Sequence, residues 1–343
     1  MRRMTFPGSA GVLACLSCGN DLIREQAGKD ERRSQEGKTM GERVRMKILI
    51  AYDGSDSAES AIEDLKRAGL PPQAEAIVLT IAEELIPDPA RIGGVATIFA
   101  KKLLEAEKDS LSVAGRARSR IQTLFPDWEI LAEAGVGSPG GKIIARADEW
   151  RPDLIVVGSH GRTALGQMFF GSVSQKIVNE ARCSVRVGRG QIIEPDAPGR
   201  IIVGVDGSEE ADAAVEEIAK RDWPDGSEVR IVNSALTIPS VSDPGTSANL
   251  AEWIARETEL VKKAAEGAAE KLGSAGLKVS TVVGEREPKT LLCNQADEMK
   301  ADCIFVGSRG MGRLDRFLIG SVSSGVAARA NCSVEVVRTG NNA

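Results

Sequence analysis

From Met46 onward, short apolar runs alternate with longer stretches in which apolar residues recur every three or four positions. The runs Lys47–Tyr52, Ala76–Ile81, Glu129–Glu133, Leu154–Val157 and Ser184–Val187 are predicted strands of a first half. Ile201–Val205, Val229–Asn233, Lys278–Val283, Cys303–Val306 and Ser333–Val337 are their counterparts in a second. Between the second and third strands of each half the period is helical. Leu104, Leu111, Ala114, Ile121 and Leu124 form one stripe, and Leu250, Trp253, Glu257, Val261, Ala264, Ala268 and Leu272 the other. Both stripes are predicted to face the core. Strands that alternate with helices and are apolar throughout belong to a parallel sheet covered on both faces, so the predicted class is α/β.

The same order of elements occurs twice, and so do its landmarks. Asp53-Gly54-Ser55 recurs 153 positions later as Asp206-Gly207-Ser208. Gly135, Pro139, Asp148, Asp153, Gly158, Gly171 and Cys183 recur 149 positions later as Gly284, Pro288, Asp297, Asp302, Gly307, Gly320 and Cys332. The change of offset falls within each half, where loops absorb length differences. With 343 residues, the chain holds two domains of roughly 150 residues. They are predicted at 46–190 and 199–343, each a doubly wound, Rossmann-like five-stranded parallel sheet of order 3-2-1-4-5. Between them, Gln191–Gly199 carries two prolines, two acids and a glycine, the composition of an exposed linker. Residues 1–45 lie outside the repeat and turn polar after Asn20. They are predicted to be disordered, or to reflect a start codon assigned upstream of Met46.

Composition narrows the partners. The formal charge of −5 offers no basic footprint to a duplex, and one Tyr, seven Phe and four Trp are few for stacking single strands. Nucleic acid is therefore not an expected partner. An apolar run of about 18 residues would be needed for a membrane span, and the chain has none. Of the six cysteines, Cys183 and Cys332 precede equivalent last strands in separate sheets, which predicts reduced thiols in a cytoplasmic protein. Cys15 and Cys18 have the spacing of a redox or zinc pair but lack a second pair of ligands.

The candidate chemistry lies in a repeated glycine pattern. Gly158-Ser159-His160-Gly161 is followed after nine residues by Gly171-Ser172, and Gly307-Ser308-Arg309-Gly310 after nine by Gly320-Ser321. Each pattern follows the fourth strand and precedes a helix. Glycine lets several backbone N–H groups converge, and a helix start adds partial positive charge, which suits a phosphate. In a 3-2-1-4-5 sheet strands one and four are neighbours at the switch point, where ligands bind. Asp53 and Asp206 would then each face a glycine loop, although Asp-Gly-Ser is also what a turn and helix cap would use. Ser172-Val173-Ser174 and Ser321-Val322-Ser323 open the next helices, as caps, phosphate donors or both. Arg162 and Arg313 are further candidates beside a phosphate. Other phosphate motifs fail: Gly37-Lys38-Thr39 has Arg32 where a P-loop needs glycine, and no glycine fingerprint follows the first strand. His160 is the sole histidine and its counterpart is Arg309, so no histidine chemistry is common to both halves. No catalytic or metal-ligating constellation is predicted.

The strand-ending Asp, the G-x2-G-x9-G-S loop and the doubling resemble the tandem universal stress proteins of the ATP-binding type, over about residues 46 to 338. The resemblance implies that the motif Asp contacts adenosine, a residue ending the second strand contacts adenine, and the glycine loop with its Ser-Val holds the phosphates. On this chain those residues are Asp53, Ile81, Gly158, Gly161, Gly171, Ser172 and Val173, then Asp206, Ser234, Gly307, Gly310, Gly320, Ser321 and Val322. The implied ligand is ATP, with AMP and ADP as alternatives and Mg as a companion ion. Two departures stand out. Ile81 and Ser234 replace the family's usual valine, and Ser184 and Ser333 its usual proline after the late cysteine. The resemblance also implies that the last strands pair the halves as an internal pseudo-dimer, with homodimers of whole chains. It implies a non-catalytic regulator or adaptor that acts through an unidentified protein partner, the alternatives being a weak ATPase and a nucleotide-free interaction module.

Overall fold

The structure, a computed structural model, describes residues 45–83, 96–161, 170–189, 197–234, 244–310 and 319–339. Arg162, Arg313, Leu250, Trp253, Glu257, most of the expected linker and the expected disordered stretch before Arg45 lie outside the described residues or side chains.

All ten predicted strands form, their ends shifted by up to three residues. In the first half they are β1 (Met46–Ala51), β2 (Ala74–Ala82), β3 (Glu129–Val136), β4 (Leu154–Gly158) and β5 (Ser184–Gly188). In the second they are β6 (Arg200–Gly204), β7 (Glu228–Ser234), β8 (Lys278–Gly284), β9 (Cys303–Gly307) and β10 (Ser333–Val337). The helices are α1 (Asp56–Asp64), α2 (Ala96–Leu124), α3 (Pro139–Trp150) and α4 (Ser172–Glu180), then α5 (Glu209–Ala219), α6 (Pro244–Ser274), α7 (Pro288–Met299) and α8 (Ser321–Arg329). The strands form one ten-stranded sheet in the order β3-β2-β1-β4-β5-β10-β9-β6-β7-β8. Within each half every pairing is parallel and the order is the expected 3-2-1-4-5. The halves meet where β5 and β10 run antiparallel, with Arg186 opposite Glu335.

Burial follows the pleat. On one face, Leu49, Ile77, Val185, Val187, Val334 and Val336 pack with α3, α4, α7 and α8 in a single cluster that continues across the β5–β10 junction. On the other face there are two clusters, one under α1 and α2 and one under α5 and α6. Between them, at the junction, Arg186, Glu335 and Asp64 are buried.

The stripe expected on α2 is corrected at its start. Leu104 and Leu111 are exposed, at 60% and 48%, whereas Ala114 and Ile121 are fully buried, joined by Ala117. The reason is length. The 29 residues of α2 span about 43 Å, but the nine of β2 span about 30 Å, so the early turns of the helix run past the sheet. In α6 the expected Ala268 and Leu272 are buried, while Val261 and Ala264 are half-buried. Among the described residues Cys183, Cys293, Cys303 and Cys332 are free. Burial pushes the thiols of Cys183 and Cys332 up to about 12, which keeps them protonated at neutral pH. No helix of the described residues is long and apolar enough to cross a membrane.

Candidate functional site

β1 ends one residue before Tyr52, and the chain turns through Asp53, Gly54 and Ser55 into α1. Gly54 has φ +77° and Gly207 φ +84°, a region that a Cβ makes costly. The turn and cap expected of this motif are both present. Asp53 Oδ1 accepts from the Ser55 N–H at 2.9 Å, and Ser55 Oγ, the cap of α1, accepts from the Ala58 N–H at 3.2 Å. In the second half Asp206 Oδ1 accepts from the Ser208 N–H at 3.0 Å and its hydroxyl at 2.6 Å, and Ser208 caps α5.

Those bonds engage one oxygen of each aspartate. The other is turned toward the glycine loop. A Cβ on Gly161 would lie 3.2 Å from Asp53 Oδ2, and one on Gly310 would lie 2.5 Å from Asp206 Oδ2. The aspartate that ends strand one therefore abuts the loop that follows strand four in both halves. The first glycine of each loop has another constraint. A Cβ on Gly158 would meet the backbone of Ser57 at 2.9 Å, and one on Gly307 would meet the Glu210 carbonyl carbon at 2.6 Å. These two glycines admit the first turns of α1 and α5 against the sheet.

The third glycines, Gly171 and Gly320, are the N-cap residues of α4 and α8, with no side-chain cap bond. Their N–H groups donate to Ser159 O and Ser308 O, both at 2.8 Å, which brings the two ends of each loop together. The serines expected as caps sit inside the helices instead. Ser172 and Ser321 are exposed at the first helical position. Ser174 and Ser323 are buried, and their hydroxyls donate to Gly158 O at 2.7 Å and Gly307 O at 2.6 Å. The first N–H groups of α4 and α8 have no intrahelical acceptor and open toward the loop.

In the second half these parts enclose a cavity of about 710 Å³. Asp206, Ser234, Gly307, Gly310, Gly320, Ser321 and Val322, all seven residues expected there from the sequence, line it. Ser234 closes the strand-two side, but its hydroxyl donates to Arg286 O at 2.6 Å. Residues that the sequence reading missed complete the wall. Asn233 is buried and its amide donates to Val205 O at 2.7 Å, and Thr258, Val261 and Lys262 come from α6. An asparagine closing an apolar strand was the available signal for the first; the α6 residues had none, because a helix without a loop contact shows only its own period. Arg309 lines the cavity too and is ion-paired with Glu210.

In the first half Ile81 lies at the end of β2 opposite Gly135, and Gly158, Gly161, Gly171, Ser172 and Val173 are placed as their counterparts are. His160 stands in the loop with its Nδ1 2.9 Å from Ser159 Oγ, and its N–H donates to Ser57 Oγ at 3.2 Å. Thr80, the counterpart of Asn233, has a buried hydroxyl without a hydrogen-bond partner among the described residues. No group of three or more His, Cys, Asp or Glu among the described residues is placed to hold a metal ion.

Two curated relatives match about two fifths of this chain. Universal stress protein YxiE of Bacillus subtilis is 29% identical over 147 residues, 42% of this chain and 98% of the relative. A universal stress protein of Thermus aquaticus is 35% identical over 142 residues, 41% of this chain and 97% of the relative. A universal stress protein of Archaeoglobus fulgidus has the same fold, with a TM-score of 0.56 at 20% identity over 87% of this chain and 97% of that one. The model of the universal stress protein family matches twice, at residues 45–189 and 198–338, and this chain belongs to that family.

Proposed function

We propose that each half binds one adenine nucleotide, ATP in the first instance, and that occupancy regulates the protein's interactions in a stress response. The observation that carries this reading is the second-half cavity, where the seven expected residues converge and Asp206 meets Gly310. Its chemistry suits the ligand. The Asp206 oxygen that faces Gly310 can accept from ribose hydroxyls, while the N–H groups that open α8 and the glycine loop suit an anion. The apolar wall formed by Val232, Val261 and Val306 can take a base. A bound nucleotide would place negative charge beside the positive end of α8. In the first half the Thr80 hydroxyl, without a hydrogen-bond partner among the described residues, stands at the position of Asn233, which lines the second-half cavity, and so fits the same reading.

The two sites are not copies. Ile81 is apolar, whereas Ser234 has its hydroxyl committed to Arg286 O, and His160 stands where the second half has an ion-paired Arg309. Unequal affinities are therefore expected. The test is to denature the purified chain and identify and count released nucleotide by mass spectrometry, then to titrate the emptied protein calorimetrically beside Asp53→Ala, Asp206→Ala and the double variant. Up to two nucleotides per chain, lost in the double variant, with different constants in the two single variants, is the expected result. No released nucleotide and no heat with ATP would leave the fold acting through its surfaces alone.

A further inference from the structure

The junction of the halves has a near-twofold arrangement. Positions 149 apart are equivalent, and β5 and β10 cross so that Arg186 faces its own counterpart, Glu335. Around this centre the contacts come in matched pairs. The Arg189 guanidinium donates to Ala327 O and that of Arg338 to Val178 O, each at 2.5 Å, so each half caps a helix of the other. The Arg189 N–H donates to Ser333 Oγ at 2.8 Å, and the Arg338 N–H to Ser184 Oγ at 3.2 Å. These are the serines that stand where the family's proline is usual. Such pairs would form equally well between two first halves or two second halves.

The centre would not. Arg186 and Glu335 are both fully buried, 3.1 Å apart. Arg186 also donates to Asp64 at 2.6 Å and 3.2 Å, and Glu335 accepts from Arg221, which is itself paired with Glu217. The result is an alternating chain of charges, Asp64–Arg186–Glu335–Arg221–Glu217, that crosses the junction once. Two first halves would bury arginine against arginine, and two second halves acid against acid, in each case without water to screen the repulsion.

We propose that the opposite charges of Arg186 and Glu335 act as a pairing key, which makes the β5 face of a first half a docking surface for a second half and for nothing like itself. The occupant is the second half of the same chain, or that of another copy when the chain's own cannot fit.

The test uses full-length chains. Arg186→Glu, combined with Asp64→Asn so that no acid lies beside the new one, makes both facing positions acidic, and Glu335→Arg, combined with Arg221→Gln, makes both basic, so each chain alone should lose its folded monomer. Co-expressed under different tags, the two are complementary. The unchanged Arg186 of one chain meets the unchanged Glu335 of the other, and the two altered positions face each other with opposite charge. Native mass spectrometry should then show a mixed two-chain species at least about tenfold more abundant than either same-variant pair. Either variant folding alone as stably as wild type would overturn the proposal. So would a mixed species no more abundant than the same-variant pairs, or none at all where each chain alone misfolds, because a purely structural role gives no rescue in trans.

Discussion

Gly307 and Gly310 stand three residues apart in one loop, yet a methyl group added to each meets a different kind of neighbour. At Gly307 it meets backbone, the Glu210 carbonyl carbon at 2.6 Å and the Ala211 nitrogen at 2.8 Å, so the start of α5 would have to move. Gly307→Ala is expected to cost about 1–3 kcal/mol of stability, read as a lower urea midpoint without any nucleotide. At Gly310 the methyl meets only the tip of Asp206, at 2.5 Å. The carboxylate can swing away, though it must give up its bonds to Ser208. Gly310→Ala should therefore change stability by less than about 1 kcal/mol and lower nucleotide affinity about tenfold, the equivalent of one lost hydrogen bond to a charged group. Calorimetric titration checks it, and unaltered binding would separate Asp206 from the ligand. Here the sequence showed that glycine is needed at 158 and 307 but not what needs it. Spacing places a residue in a loop, whereas the helix that presses on that loop comes from about a hundred residues away.

Elements are fastened to one another by a few polar contacts whose worth can be measured. The hydroxyl of Ser323 ties the first turn of α8 to the end of β9 through Gly307 O at 2.6 Å, as Ser174 ties α4 to β4. Ser323→Ala would leave a buried carbonyl without that donor, an expected loss of about 1–3 kcal/mol, together with weaker nucleotide binding as the loop loses its anchor. Ser321→Ala, at an exposed position, serves as the comparison and should leave stability unchanged. On the opposite face Arg120 of α2 grips α1, 2.7 Å from Glu63 and 2.9 Å from Glu59. Burial pushes the Glu63 carboxyl up, but hydrogen bonds from Arg120 and Lys66 outweigh it, and Glu63 titrates below its ordinary 4.5. A carboxyl whose folded value is depressed stabilises fully above its unfolded value, and that contribution is lost as the pH falls through the folded one. Glu63→Gln should thus lose up to about 1 kcal/mol at neutral pH, and its gap to wild type should close as urea unfolding is repeated below about pH 4.5. A gap that does not change with pH would assign the loss to packing. The length of α2 beside that of β2 explains why the α2 stripe was only half readable. Periodicity gave the face that turns inward, but the end of the sheet decides where that face stops being covered.

At the scale of the molecule the repeat gave two sets of five strands and their order, and the resemblance implied that the last strands join them, into what the structure shows as one ten-stranded sheet, while the charges at that junction were hidden by their own pattern. Val185-Arg186-Val187 and Val334-Glu335-Val336 each read as a strand with one polar face, and a polar face reads as solvent. The structure buries both faces, and the charges satisfy each other across the halves. The reversal of sign between equivalent positions, visible once the offset of 149 is applied, is the signal that pairs these charges. Because the core runs through Val185, Val187, Val334 and Val336 without interruption, neither half can open without exposing the other's apolar surface. Urea unfolding should therefore be a single transition. Two tryptophans can report it separately: Trp128, stacked on Phe125 in the first half, and Trp223, edge-on to Phe305 in the second. In chains that keep one of them, with the other three tryptophans changed to Phe, the two fluorescence curves should coincide, and resolved midpoints would show halves that unfold independently. Arg186→Met sharpens the test. It leaves Asp64 and Glu335 buried without their shared cation, an expected loss of about 3–5 kcal/mol. If the junction binds the halves into one cooperative unit, the Trp128 and Trp223 curves move down together by that amount, although the substitution lies in the first half. A shift confined to Trp128 would mean that the charge chain serves its own half alone.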